Sequence, residues 1–155
     1  MIGVGDWGLG VQGPPDDGVA EPASLYSART VRSFRDLDVW QDAMTLAELA
    51  YRETESFPQR ETYGMTSQLR RASVSVASNI AEGWGRSSRK DYVRFLYIAR
   101  GSLFEVATQT EIAKRVGLLT AKAAGRMEQQ GATCGRRLNR LIAALSRPHP
   151  PTPKP

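Results

Sequence analysis

The chain has 155 residues, of which 41% are hydrophobic, with one cysteine and a net charge of +5. That length suits one domain whose core is large enough to fold unaided, and a single thiol, Cys134, excludes an internal disulfide framework. The apolar runs fall well short of the roughly 20 residues that cross a bilayer, and the opening residues lack the basic and apolar regions of a signal peptide, so a cytoplasmic protein away from membranes is expected.

Residues 1–33 are rich in glycine and proline, show no helical or alternating apolar pattern, and are expected to form a disordered leader. Five prolines among the eight residues 148–155 exclude a helix there and favour a polyproline conformation in a Pro-rich tail. Between them, residues 34–147 carry four helical patterns and nothing with the period of a strand.

The first pattern spans about 36–56. Trp40, Ala43, Ala47, Ala50, Tyr51 and Thr54 recur at steps of three and four, as one buried face requires. Asp36 or Asp38 is placed to cap its amino end, and Phe57-Pro58 ends it. The second spans about 61–82, with Met65, Leu69, Ala72, Val76, Asn79 and Ile80 in register. It is rich in alanine and serine, which lets a neighbouring helix approach closely. Gly83 or Gly85 is placed to take a left-handed cap. The third spans about 88–116. Ser88 and Asp91 form a capping pair, Tyr92, Leu96, Ala99, Leu103, Val106, Thr110 and Ala113 form the main stripe, and Phe95, Ile98 and Phe104 widen it to a second face that implies a second neighbour. Gly117 is the natural stop. The fourth spans about 120–146 through Met127, Cys134, Leu138, Leu141, Ile142 and Leu145. Gly125, Gly131 and Gly135 weaken it by up to about 1 kcal/mol each. Short connections favour antiparallel neighbours. The expected fold is all-α, an up-down-up-down four-helix bundle.

The residues that catalysis needs are scarce. The single histidine, His149, lies in the proline tail, Cys134 has the spacing of a core residue, and no cluster has metal-ligand spacing. No phosphate loop is present. The chain is therefore not expected to be an enzyme, and no metal or cofactor is expected. Asn79 and Glu82 lie three residues apart near the carboxyl end of the second helix, where a carboxylate opposes the helix dipole. They suit either a hydrogen-bond network compensated by Arg86 or Arg71, or a ligand site.

The charge is distributed unevenly. Residues 1–33 carry −2 and residues 34–57 carry −4, whereas residues 58–117 and 118–147 carry +5 each. The bases are Arg70 and Arg71 on the second helix; Arg86, Arg89, Lys90 and Arg94 across the following turn; Lys114 and Arg115 at the end of the third helix; and Lys122, Arg126, Arg136, Arg137 and Arg140 on the fourth. Arginine dominates, and its planar fork suits phosphate. The set points to a polyanion partner, RNA or DNA, bound with little sequence preference. The alternative is an adaptor that contacts another protein. The asymmetry also suits pairing between acidic and basic parts within an assembly, the acidic first helix facing a basic neighbour, which would leave less positive charge free.

Four motifs in order carry a resemblance: Phe34-Arg-Asp-Leu-Asp-Val-Trp-Gln41; Phe57-Pro58 with Glu61-x-Tyr63-Gly64-Met65-x-x-Gln68-Leu-Arg-Arg71; Ser78-Asn-Ile-Ala-Glu-Gly83 with Gly85-Arg86; and Ile98-Ala-x-Gly-Ser-Leu103 with Glu105. Over residues 34–120 the chain resembles the bacterial four-helix bundle proteins encoded in 23S ribosomal RNA intervening sequences, relatives of the accessory variability determinant of diversity-generating retroelements. The resemblance implies a ring-like homopentamer. It also implies nucleic-acid binding through a basic surface, with a reverse transcriptase as a possible partner. Trp40, Gln68, Asn79, Glu82, Gly83, Gly101, Ser102 and Glu105 are the motif residues, read as packing and assembly positions.

Overall fold

The computed structural model describes residues 31–148; most of the leader, the tail beyond Pro148 and His149 lie outside the described residues. A single 3-10 turn, Phe34–Asp36, leads into α1 (Asp38–Thr54), and another, Gln59–Glu61, leads into α2 (Met65–Trp84). Then come α3 (Arg89–Arg115) and α4 (Ala121–Ser146). Among the described residues there is no strand. Each helix packs against the next and α4 returns to α1, so the four form a closed square. Cross-helix pairs set the directions. Thr54 meets Arg70, Ser75 meets Ser102, Arg100 meets Asn139, and Asp42 and Glu53 meet Arg137 and Arg126. Residue numbers rise on α1 as they fall on α4. The same holds for α2 against α3, where Gly83 meets Tyr92 as well as Ser75 meeting Ser102, and for α3 against α4, where Lys114 meets Glu128 as well as Arg100 meeting Asn139. The bundle is therefore antiparallel and up-down-up-down.

Local chemistry explains the helix ends. Ser88 Oγ accepts from the Asp91 N–H, and Thr120 Oγ1 accepts from the Ala123 N–H, so α3 and α4 both start on a hydroxyl cap. At the start of α2 the orphan Met65 N–H is taken up by the Glu61 carboxylate at 3.1 Å. Gly117, at φ +78°, ends α3 in the left-handed region that favours glycine.

Several expectations are corrected. Neither Asp36 nor Asp38 caps α1. The Asp36 carboxylate turns back to accept from the Arg32 and Ser33 N–H groups, and Leu37 precedes α1 without a side-chain cap. Just ahead of the first turn, Val31 packs on the core and Ser33 Oγ accepts from the Arg35 N–H. The buried face of α1 runs through Val39, Ala43, Leu46, Ala47, Ala50 and Thr54. Tyr51 is instead exposed beneath the Arg70 guanidinium, and Trp40 is half-buried edge-on to Phe34. An alanine-rich helix fits two registers of the 3-4 pattern, and the one holding Leu46 buries more apolar area. α2 runs on to Trp84, and neither glycine takes a left-handed cap, since Gly85 has φ −77°.

The core is continuous along the bundle. Leu37, Val76, Ile80, Tyr92, Leu96 and Leu138 occupy one end; Leu46, Leu69, Val106 and Met127 the middle; Phe57, Ala113, Leu119 and Ala124 the other end. The tightest approach is between α2 and α3. A Cβ built on Gly83 would stand 2.8 Å from Tyr92 Cδ2 and 3.0 Å from Phe95 Cβ. Gly125 is exposed, and a Cβ there meets nothing within 4 Å. Two substitutions therefore separate in sign. Gly83→Ala should lose about 1–3 kcal/mol through overpacking, whereas Gly125→Ala should gain about 0.5–1 kcal/mol through helix propensity. Denaturant midpoints at unchanged slope check both.

Candidate nucleic-acid interface

The basic residues do not form one patch, because the fold divides them. On the α1 edge of α4, Arg126 grips Glu53 through two hydrogen bonds of 2.7 and 3.0 Å, and Arg137 meets Asp42 at 2.7 Å. Both carboxylates are largely covered, so these are the better-ordered ion pairs of the bundle. Hydrogen bonds from Arg126 hold the Glu53 carboxyl below its ordinary value, against the opposing effect of burial. On the α3 side, Lys114 bonds Glu111 and Glu128, and Arg115 bonds Glu111, which also complements the dipole of the last turn of α3.

Four further arginines are tied to local structure. Arg70 reaches across to α1, where Nε donates to Thr54 Oγ1 at 2.8 Å. Arg89 Nη2 donates to the Ala144 carbonyl at 3.0 Å and so serves the end of α4, with its Nε buried. Arg86 pairs with Glu82 and lies over the Phe95 ring. Arg94 sits over the same ring, 3.9 Å from Asp91. Arg71 and Lys90 are exposed on other faces with no ion-pair partner among the described residues.

What remains is the outward face of α4. Lys122, Arg126, Gln129, Thr133, Arg136 and Arg140 follow one another at steps of four and three, and Arg147 lies seven residues further on. The first six of these positions share one side of the helix, and Arg147 follows α4 as its extended C-cap residue. Lys122, Arg136, Arg140 and Arg147 have no ion-pair partner among the described residues; Arg136 contacts only the hydroxyl of Thr133. The single acid of α4, Glu128, sits on the α3 edge with Lys114. Arg147, which the sequence reading did not single out, adds an exposed cation just past the end of this row.

The motif residues have separate surroundings. Ser102 is buried and shares a 2.9 Å hydrogen bond with Ser75, whose carbonyl and hydroxyl also take the Asn79 amide. Asn79 and Glu82 therefore do not share a network: Asn79 turns back along α2, and Glu82 is exposed with Arg86. Gln68, Gly101 and Glu105 are exposed, and nothing lies within 4 Å of a Cβ placed on Gly101. The expected second face of α3 divides as well. Phe95 is buried, but Ile98 and Phe104 are 44% and 66% exposed, in line with Ile112 and Val116. On the opposite side, α1 and α2 leave a groove of about 560 Å³ lined by Met44, Ala47, Tyr51, Val74 and Ala77 and rimmed by Glu48 and Glu55.

Among the described residues no group of histidine, cysteine and carboxylates could hold a metal ion, and no helix is long and apolar enough to cross a membrane. Burial, with Asp42 nearby, pushes the Cys134 thiol up to about 12. It is a core residue, protonated at neutral pH and a poor nucleophile.

Fold and surface together define a small helical bundle with a one-sided basic helix. The chain belongs to the 23S rRNA-intervening sequence protein family, whose model matches residues 35–140. It is similar in fold to a solved protein with unknown function from the S23 ribosomal protein family of Bacteroides thetaiotaomicron VPI-5482. The TM-score is 0.61 at 20% identity, over 67% of this chain and 97% of that one. No curated protein matches the chain.

The Glu53–Arg126 pair sets an acid limit. The folded-state pKa of Glu53 lies below the ordinary 4.5, so its contribution to stability is present above that pH and is lost as pH falls through the folded value. Glu53→Gln should lower stability at neutral pH and flatten the decline below about pH 5. Denaturant midpoints measured at several pH values check this.

Proposed function

We propose that the protein is a non-catalytic, oligomeric scaffold that binds nucleic-acid backbone, RNA foremost, through the outward face of α4. The observation that carries this reading is the row Lys122, Arg136 and Arg140 on one helix side, with Arg147 just past the helix end, all exposed with no ion-pair partner among the described residues. Cations without partners attract phosphate and release its counterions, so binding draws on salt-sensitive electrostatics rather than on bases. Family membership, with its ribosomal RNA context, is compatible with RNA as the polyanion.

Oligomerisation is supported by two unlike apolar surfaces on one chain, the exposed α3 stripe and the α1–α2 groove. Unlike surfaces suit head-to-tail contacts, which close into rings. The homopentamer implied by the resemblance is of this kind, and it would present the α4 row several times to one polyanion. The α3 stripe also supports a second reading, in which it seats a protein partner such as a reverse transcriptase and the chain acts as its accessory subunit. A cytoplasmic location fits either reading.

Filter binding of an RNA hairpin tests the first reading. Replacing Lys122, Arg136, Arg140 and Arg147 together by glutamine should abolish the salt-dependent part of binding, and affinity of the native chain should fall at least tenfold from about 50 to 200 mM salt. A weak response that does not change with salt would rule the reading out. Native mass measurement tests assembly: Phe104→Glu should shift an oligomer toward monomer, and a native chain that is already monomeric at tens of micromolar removes the oligomeric part.

A further inference from the structure

The α4 row also bears on which form of nucleic acid it suits, an inference that rests on the reading above. α4 contains no phenylalanine, tyrosine or tryptophan among its 26 residues. Its outward face offers cations separated by glutamine, threonine and small residues: Gly125, Ala132 and Ala143 are all exposed beside it. No aromatic ring on this helix is available to stack on a base. Proteins that hold single strands without sequence preference combine a basic groove with aromatic platforms, and each stacked base contributes about 1–3 kcal/mol. That contribution is missing from this helix.

The geometry of the row suits a stiff partner. At 1.5 Å per residue, Arg136 and Arg140 stand about 6 Å apart along the axis and the helical row from Lys122 to Arg140 spans roughly 27 Å, with Arg147 just past the end of the helix. The helix carrying it is packed on both flanks, against α1 and α3, so the row cannot curl around a flexible strand. Duplex DNA carries one charge per about 1.7 Å of axis, and counterion release is about 0.9 per neutralised phosphate against about 0.7 for a single strand. For four contacts that difference amounts to a factor of roughly six at about 0.1 M salt, before any cost of ordering a flexible strand.

We propose that the outward face of α4 is a docking surface for the sugar-phosphate backbone of double-helical nucleic acid, favoured over single strands and blind to base identity. The packed flanks of α4 bring the bundle against the outside of a duplex, across its phosphate ridges. Duplex DNA and duplex RNA share the chemistry required.

Fluorescence anisotropy on the full chain tests this. The probes are a duplex DNA, a duplex RNA, and the unstructured single strands of each, all of one length, at two salt concentrations. Both duplexes, or one of them, should bind at least about fivefold more tightly than the single strands. Arg140→Gln should reduce the salt dependence of duplex binding by about one counterion for each protomer in contact. Phe104→Ala and Tyr97→Ala, which remove the two exposed aromatics of α3, should each leave the preference unchanged. Single strands that bind as tightly as duplexes overturn the inference while the backbone-binding reading stands. So does a Phe104→Ala or Tyr97→Ala variant that loses single-strand binding alone, which would reveal a stacking platform on α3. Failure of every probe to bind overturns the reading beneath it.

Discussion

The bundle closes where α4 returns to α1, and that contact settles both the fold and the surface. α1 carries much of the negative charge of the folded chain, and α4 is almost wholly basic. Bringing them together lets Glu53 and Asp42, both largely covered, find Arg126 and Arg137. A covered carboxylate without such a partner would be costly, because removing one member of a desolvated pair leaves the other charge unsatisfied. The same contact fixes the rotation of α4. Its apolar side, Met127, Cys134, Leu138 and Leu145, is then buried, and Lys122, Arg136 and Arg140 on the other side stay exposed. The free positive surface is thus a consequence of how the acidic helix is neutralised.

Much of this was legible in the residues. Four helices, their order, the caps at Ser88 and the stop at Gly117 follow from spacing and cap chemistry, which act over a few residues. The acidic-basic asymmetry suggested pairing between copies in an assembly, whereas the pairs on Glu53 and Asp42 form within one chain. The rotation of α1 was not legible. Trp40 and Tyr51 fit the 3-4 pattern as well as Leu46 and Val39, and the choice depends on α2 and α4, far away in sequence. Arg70 shows why: it lies over the outer side of Tyr51 and bonds Thr54, holding an aromatic at the surface. Individual arginines were illegible for the same reason. Arg126 and Arg140 look alike in sequence, but only the first stands opposite a carboxylate.

Gly83 and Gly101 make the parallel point for packing. Both sit inside helices within recognisable motifs, and both lower helix propensity. At Gly83 the cost is offset at once, since no other residue lets α2 approach Tyr92 and Phe95 so closely. At Gly101 nothing in the chain occupies the space, and the apolar residues on either side, Ile98 and Phe104, stay exposed. A helix that keeps a glycine and a large apolar residue on its open face is poorly suited to life as an isolated bundle. The monomer accounts for the first glycine and leaves the second without an occupant.

These two surfaces lie on different helices, and that separation has a consequence for how charge and assembly combine. The α3 stripe and the α1–α2 groove are exposed apolar surfaces, whereas the unpaired cations of α4 occupy a face of their own. If copies join through the apolar features, assembly need not cover the cations, and each added copy extends the basic surface. The net charge of the chain is a poor guide to this. Most of its bases are cancelled, or held on backbone and rings, within the bundle, and those on α4 that escape share one direction. What a polyanion meets is governed by that alignment more than by the total.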